Sequence, residues 1–220
     1  MKLFRCDHCS SVIYFENTIC EQCGHTLGYW QDANMMVSLE VMGDYFTAPA
    51  IPGERLVYCA NAKHGACNWL VEFNPGGEPY CRACRHNALV PDITDPANLT
   101  RWQVIERAKK RLFYSLLRFR LPLATRNEDA VHGLSFQFLN EEVAPSPVMT
   151  GHESGIITLA LNEADDAARE YRRTLLNEPY RTLLGHLRHE VGHHFWDILI
   201  GTQPTNLGDF RTLFGDETAD

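Results

Sequence analysis

Eight cysteines lie within the first 84 residues, and they constrain the fold of this chain more than any other feature. The first four have the spacing C-x2-C-x10-C-x2-C and are Cys6, Cys9, Cys20 and Cys23. Each C-x2-C pair forms a tight turn that directs two thiolates to one point, and four thiolates around zinc make a closed structural site. Residues 1–28 are therefore predicted to form a zinc ribbon. His8 and His25 are expected to be bystanders, because four cysteines already complete the shell.

The second set of cysteines is spaced less regularly. Its members are Cys59, Cys67, Cys81 and Cys84. The last two form a C-x2-C turn, whereas seven residues separate the first two. His64, inside that loop, could replace one thiolate, but an all-cysteine shell is favoured because four thiolates complete it. Short strand-like runs broken by Pro and Gly occur around these cysteines, at Met36–Val41, Arg55–Tyr58 and Trp69–Phe73. Residues 29–97 are therefore predicted to form a second zinc-binding module around a second structural zinc.

The segment His189–His193 has the sequence H-E-V-G-H. Histidines four residues apart lie on one face of a helix, about one turn apart, so both can reach a single metal ion. Glu190 is placed to accept a proton from water activated by that ion. Apolar residues at positions 184, 187, 191, 195 and 198 form a helical stripe on another face. The motif predicts a zinc hydrolase in which His189 and His193 bind a catalytic zinc and Glu190 is the general base.

The segments between the cysteines and this motif alternate between helical and strand-like patterns. Helical periodicity is expected to begin at an N-cap on Thr100 and to stop at Pro122. Residues 163–176 have the pattern of a polar helix. Ile156–Leu161 is predicted to be a strand, and it is our candidate for an exposed edge that binds an extended peptide as an added strand. An ordinary core strand is an equally good interpretation of the same residues.

Composition and charge narrow the partners and the compartment. The chain is 45% hydrophobic with a formal net charge of −8, yet residues 101–126 carry eight Lys/Arg against one acid, Glu106. Such a helix could contact nucleic acid, but a solvated or internally neutralised face is favoured. No stretch approaches the ~20 apolar residues of a membrane span, and Cys6 is reached before a signal peptide could form. We therefore expect no membrane partner and a cytoplasmic location, where paired cysteines indicate metal rather than disulfides.

Further motifs occur in order along the whole chain. They are Tyr58–Ala62, His64–Trp69, Cys81–Cys84, Tyr114–Leu117, Thr150–His152, Gly155–Thr158, Glu163–Asp166, Glu178–His186, Arg188–His193, Trp196–Asp197 and Phe214–Glu217. With these motifs the chain resembles the bacterial zinc-binding metallopeptidases that carry an N-terminal zinc ribbon. The resemblance implies an α+β protein, with two small zinc-binding modules followed by a mainly helical, gluzincin-like core with a small sheet at residues 98–220.

The resemblance leaves the third ligand of the catalytic zinc open. A catalytic zinc needs three protein ligands and water. Members of the family continue past the Phe214–Glu217 segment. A Trp-Ala-Glu-like segment in that continuation is the natural source of the third ligand. This chain ends at Asp220, so we expect either a truncated chain or a shortened natural form. Glu217 lies 24 residues after His193 and is the first candidate for the third ligand. Asp216, Asp209, Asp220 and His152 are the other candidates. Alternatively, Asp216 and Glu217 are acids at a helix N-terminus.

The resulting functional prediction is a zinc-dependent metallopeptidase that hydrolyses peptide or protein substrates, with two structural zincs and one catalytic zinc. Candidate stabilisers of the oxyanion are Tyr180, His186 and His152, and Asp197 is a candidate partner for a ligand histidine. The alternative function is a catalytically incomplete zinc-ribbon protein that binds a protein or a nucleic acid.

Overall fold

The computed structural model describes residues 3–141, 148, 150–166 and 182–219. The chain divides into two compact units, Met1–Pro122 and Leu123–Asp220. The predictions that fall on residues 167–176, on Tyr180 and on Asp220 lie outside the described residues. None of the helices in the described part is both long and apolar enough to cross a membrane. The architecture mixes helices and sheets; the proposed domain boundaries at residues 28 and 97 stay predictions.

The first unit consists of a ribbon, a barrel and one long helix. Strands β1 and β2 of the ribbon pair antiparallel, and strands β3 to β7 form a closed barrel in which β3 pairs parallel with β7. The strand bounds are β1 Phe4–Arg5, β2 Val12–Ile13, β3 Thr26–Trp30, β4 Met35–Met42, β5 Tyr45–Thr47, β6 Leu56–Tyr58, β7 Trp69–Glu72 and β8 Asn87–Leu89. The strands predicted at Met36–Val41, Arg55–Tyr58 and Trp69–Phe73 are confirmed as β4, β6 and β7.

The barrel has its own hydrophobic core, which the sequence patterns did not indicate. Its buried members are Trp30, Val37, Leu39, Ala48, Leu56 and Leu70. Gly28 on β3 permits the close approach of Leu70, since a Cβ at Gly28 would lie 2.6 Å from the Leu70 side chain. The module around the second cysteine set is therefore not a loop-rich segment folded around zinc alone. The burial of apolar side chains within the barrel stabilises it as well.

Helix α1 spans Pro96–Arg118. The predicted N-cap at Thr100 is wrong: the N-cap is Asp95, five residues earlier, whose side chain accepts a hydrogen bond from the Ala97 amide at 2.8 Å, and Pro96 occupies the first turn. Proline suits that position because it has no N–H to leave unpaired. Thr100 instead donates its hydroxyl to the Pro96 carbonyl. An aromatic cluster joins α1 to the ribbon and the barrel, with Tyr114 of α1 against Phe15 and Tyr29.

The second unit contains three strands and two helices among its described residues. They are β9 Ser135–Leu139, β10 Gly151–Glu153, β11 Ile156–Ala160, α2 Leu183–Trp196 and α3 Pro204–Phe214, with a π-helical turn Asp197–Gly201 between the helices. Strand β11 pairs parallel with β9 and antiparallel with β10. The interpretation of Ile156–Leu161 as a free edge is therefore wrong, because β11 has neighbours on both sides. Within the described part of this unit, β10 is the strand at the edge.

Candidate metal centres and active site

Helix α2 carries the histidine motif and separates its apolar and polar residues by face. Thr182 caps the helix by accepting a hydrogen bond from the Gly185 amide at 3.0 Å. The residues at four-residue spacing on the buried face are Leu183, Leu187, Val191 and Phe195. His189 and His193 are exposed. The stripe predicted from the sequence is confirmed at positions 187, 191 and 195, whereas positions 184 and 198 are only half-buried and Leu183 is buried. Burial of this face leaves both imidazoles accessible to a ligand.

The two exposed imidazoles are arranged as a pair of metal ligands. Their Nε2 atoms lie 3.1 Å apart, and the ring planes are nearly perpendicular at 87°. Two nitrogens bound to one zinc at about 2.05 Å with tetrahedral angles are separated by about 3.3 Å. The observed separation agrees with that value, and neutral imidazole is a preferred zinc donor. His189 and His193 therefore fit a zinc ion.

Glu190 is buried between this pair and a third histidine. His186, one turn earlier, donates from Nε2 to the Glu190 carboxylate at 3.0 Å. This hydrogen bond from His186 lowers the pKa of the Glu190 carboxyl below its ordinary value, so the group is ionised near neutral pH. The other ring nitrogen of His186 lies 3.9 Å from the buried carboxylate of Glu163. His186, one of the three candidate oxyanion stabilisers, is thus placed to orient Glu190.

A further imidazole faces the motif from the edge strand. The ring of His152 on β10 lies parallel to that of His193, at an interplanar angle of 11° and 6.2 Å between ring centres. Its Nε2 accepts a hydrogen bond from the Gly155 amide at 2.9 Å, so the proton of the neutral ring is carried by Nδ1. Burial lowers the pKa of His152 and favours that neutral form. His194 is buried, and burial lowers its pKa to about 4, so it is a neutral packing residue.

Two of the candidates for the third zinc ligand, Glu217 and Asp216, are engaged elsewhere. Glu217 forms a double hydrogen bond with Arg211, at 2.8 and 2.5 Å, and Asp216 accepts from the amide and hydroxyl of Thr218. Among the residues that the structure describes, no His, Cys, Asp or Glu joins the His189–His193 pair within the spacing of a metal site. Glu217 as third ligand stays a prediction, and it requires the carboxylate to leave Arg211.

The first cysteine set has the geometry of a zinc tetrathiolate. All four Sγ atoms lie within 4.8 Å of one another. The Cys6–Cys23 and Cys9–Cys20 sulfur pairs are 3.8 and 3.6 Å apart. Tetrahedral zinc with Zn–S bonds of about 2.3 Å places its sulfurs about 3.8 Å apart. Hydrogen bonds from Ser11 lower the pKa of Cys9 to about 6, which favours the thiolate that binds metal.

The second cysteine set is buried where β6 and β7 of the barrel meet the loops that follow them. Cys59, Cys67, Cys81 and Cys84 also lie within 4.8 Å of one another. His64 is not part of this set; it contacts Trp102. The Trp69 amide donates to the Cys67 sulfur, and the Cys81 amide donates to the Cys59 sulfur, both at 3.4 Å. Such N–H···S bonds stabilise the negative charge of metal-bound thiolates.

Helix α1 adds a buried ion pair beside this second set, which the sequence patterns did not reveal. Glu106 lies 3.7 Å from the Cys84 sulfur, and the Lys109 ammonium lies 2.8 Å from Glu106. Both side chains are fully buried, and Asn87 hydrogen-bonds to both. Burial acts to lower the pKa of Lys109, but the Glu106 carboxylate outweighs it and the pKa is raised. The signal in the sequence was the one acid within the basic stretch 101–126, three residues before a lysine.

Comparisons with known proteins separate the two cysteine sets from the histidine motif on α2. A family model described as "Putative zinc-binding metallo-peptidase" matches residues 98–220, and a zinc-ribbon model matches residues 3–95. Uncharacterized proteins from Mycobacterium bovis and from two strains of Mycobacterium tuberculosis are each 39% identical to the chain over 220 residues, which is all of this chain and 60% of each relative. The chain thus spans less than two thirds of the relatives' length. No solved structure matches it.

Proposed function

The chain belongs to the family of zinc-binding metallopeptidases with an N-terminal zinc ribbon, and we propose that it hydrolyses peptide bonds at the site on α2. The observation that carries this proposal is the pair of Nε2 atoms 3.1 Å apart on His189 and His193, next to the buried and ionised Glu190. Zinc at these nitrogens supplies a Lewis acid that acidifies water and polarises a carbonyl. The two cysteine sets hold two structural zincs, separate from the catalytic one.

Glu190 has the role of general base. As an ionised carboxylate it accepts a proton from the attacking water and then delivers it to the leaving amine. His186 holds the carboxylate through the 3.0 Å hydrogen bond, with Glu163 behind it. The same hydrogen bond keeps the carboxylate from rotating away from the face that carries the histidine pair. His186 is thus a positioning residue in this proposal, and Glu190 is the catalytic residue.

Strand β10 is the proposed binding surface for the substrate. It pairs with β11 on one side only among the described strands, and it contacts α2. An extended peptide that pairs with its outer side gains backbone hydrogen bonds and lies along the histidine face. His152 on this strand carries a proton on Nδ1, and we assign it as the donor that stabilises the oxyanion. The substrate class is therefore an extended peptide or an unfolded segment of a protein.

Metal stoichiometry tests this function together with activity. We expect His193→Ala to lose one zinc per chain and all peptidase activity, while the two structural zincs stay bound. The control is His132→Ala, which removes an exposed histidine of the same unit. This variant should keep the full zinc content and the full peptidase activity. Loss of activity with no change in zinc content, or loss of zinc with activity retained, would contradict the assignment.

We also propose a reducing, cytoplasmic location. The eight cysteines form no disulfides and are grouped in two sets of four as metal ligands, which is typical of a reducing compartment.

A second function is favoured by the outer face of the ribbon. Leu3, Val12 and Tyr14 are exposed there, while Phe4 and Ile13 face inward. Exposed apolar side chains next to one another are typical of protein-binding surfaces and favour a protein over a nucleic acid as the partner. In this alternative the ribbon is a binding module and the peptidase-like unit is inert. Two tightly held zincs and no activity in the intact chain would support it over the peptidase.

A further inference from the structure

Three metal-binding side chains meet on the outside of the zinc ribbon. His8, Cys23 and His25 each offer a ligand atom within 4.8 Å of the others. They come from both C-x2-C turns, since His8 lies between Cys6 and Cys9 and His25 follows Cys23 by two residues. The turn at Gly24 has φ of +75°, a left-handed conformation that glycine adopts readily. It lets the chain reverse, so that His25 returns to the same side as His8.

The two imidazoles lie directly against each other. Their rings stack with centres 3.7 Å apart and planes inclined by 26°. The Nδ1 atom of His25 is buried and has no hydrogen-bond partner among the described residues. A buried polar atom without a hydrogen-bond partner is energetically unfavourable. A cation bound at this nitrogen would remove that cost.

The charge of the neighbouring site also favours a cation here. Zinc bound to four thiolates has a net charge of −2, since four negative sulfurs exceed the charge of one divalent ion by two. Cys23 is only partly buried, and a zinc-bound thiolate keeps lone pairs that can bridge to a second ion. A second divalent ion held by two neutral imidazoles would bring the total charge of the cluster to zero. Thiolate and imidazole donors bind zinc in preference to alkaline-earth ions, which favour oxygen donors.

We propose that His8, His25 and the shared thiolate of Cys23 hold a second, exchangeable zinc ion on the ribbon. The donor atoms need to close from 4.8 Å or less to the roughly 3.4 Å of a tetrahedral site, and the stacked rings need to turn so that one nitrogen lone pair of each points at the ion. Three protein ligands leave a fourth position for water or an incoming chelator. His8 is exposed, so this ion exchanges with the solution while the ion within the four thiolates stays in place. This inference does not depend on the proposed peptidase activity.

Zinc titration of the full chain tests this site, in a His189→Ala background that removes the catalytic ion. In that background we expect three zincs per chain, one of them released by a weak competing chelator. Adding His8→Ala and His25→Ala should remove only the weak ion, or reduce its affinity by roughly 100-fold or more. His132→Ala in the same background is the control and should leave three zincs bound. Equal stoichiometry and affinity with and without the ribbon histidines would overturn the proposal.

Nitrogen NMR of the histidine side chains gives a second, direct readout. Raising zinc from two to three equivalents in the His189→Ala chain should shift the ligand nitrogens of His8 and His25 together, and leave His132 unchanged. If the third equivalent shifts neither ribbon histidine, the site does not bind zinc. If the double ribbon variant instead loses two ions, the histidines serve the tetrathiolate fold and the proposal is also wrong.

Discussion

Lys109→Met should destabilise the first unit strongly, because it leaves a buried carboxylate without its cation. Lys109 and Glu106 are fully buried, and the ammonium lies 2.8 Å from the carboxylate. Glu106 also lies 3.7 Å from the Cys84 sulfur, which is negative when zinc is bound. Removing one partner of a buried ion pair costs about 3–5 kcal/mol. For a unit of this size, that loss lowers the melting temperature by roughly 10 to 20 °C.

The double variant Lys109→Met, Glu106→Gln separates charge from packing. Replacing both charges by neutral groups of similar size is often close to neutral. The Oε1 atom of the glutamine would still accept the hydrogen bond that the Asn87 amide donates to Glu106. We therefore expect the double variant to recover about 2 kcal/mol or more relative to the single one. Urea unfolding at saturating zinc, followed by tryptophan fluorescence, measures both variants. A cost below about 1 kcal/mol for the single variant, or no recovery in the double variant, would refute the reasoning.

Three further predictions concern the second unit. Gly133→Ala should destabilise it, because an added Cβ would lie within 2.5 Å of two backbone carbonyl oxygens; thermal unfolding should show a lower melting temperature. Gly192→Ala should instead stabilise α2 by about 0.5–1 kcal/mol, since its Cβ meets nothing within 4 Å and alanine favours helix; a lower melting temperature would contradict this. The hydrogen bond from Arg211 lowers the pKa of Glu217. The pair therefore stabilises the folded state at pH values above the ordinary pKa of Glu217. This stabilisation is lost as the pH falls through the lowered pKa of the folded state. Carbon NMR should show that pKa rise towards the ordinary value in Arg211→Ala, and an unchanged titration would exclude the pairing.

Local sequence patterns predicted the elements whose determinants are close together in the chain. The C-x2-C turns, the four-residue spacing of His189 and His193, and the strands at β4, β6 and β7 are all of this kind. Their geometry is decided by the residues themselves and by the period of the helix or strand. The start of α1 was misplaced for a local reason: Asp95 followed by Pro96 is a stronger start signal than Thr100.

Features that depend on distant residues could not be predicted from those patterns. Closure of the barrel requires β3 to pair with β7, about forty residues later, and periodicity carries no information about such pairing. The edge position belongs to β10 rather than β11 because β9 pairs with β11 across a long connection. The contact of His186 with Glu190 was within reach, since residues four apart on a helix are neighbours. The approach of His152 to His193 required the sheet.

The most direct test of the central claim is peptide hydrolysis by Glu190→Gln in its zinc-loaded form. We predict that this variant keeps the zinc content of the unaltered chain and loses at least about 100-fold in kcat, because the amide cannot accept the proton from water. Glu40→Gln, an exposed barrel residue, should keep full activity and full zinc content. Full activity in Glu190→Gln, measured on an extended peptide substrate with the zinc still bound, would contradict the role of Glu190 and with it the proposed mechanism.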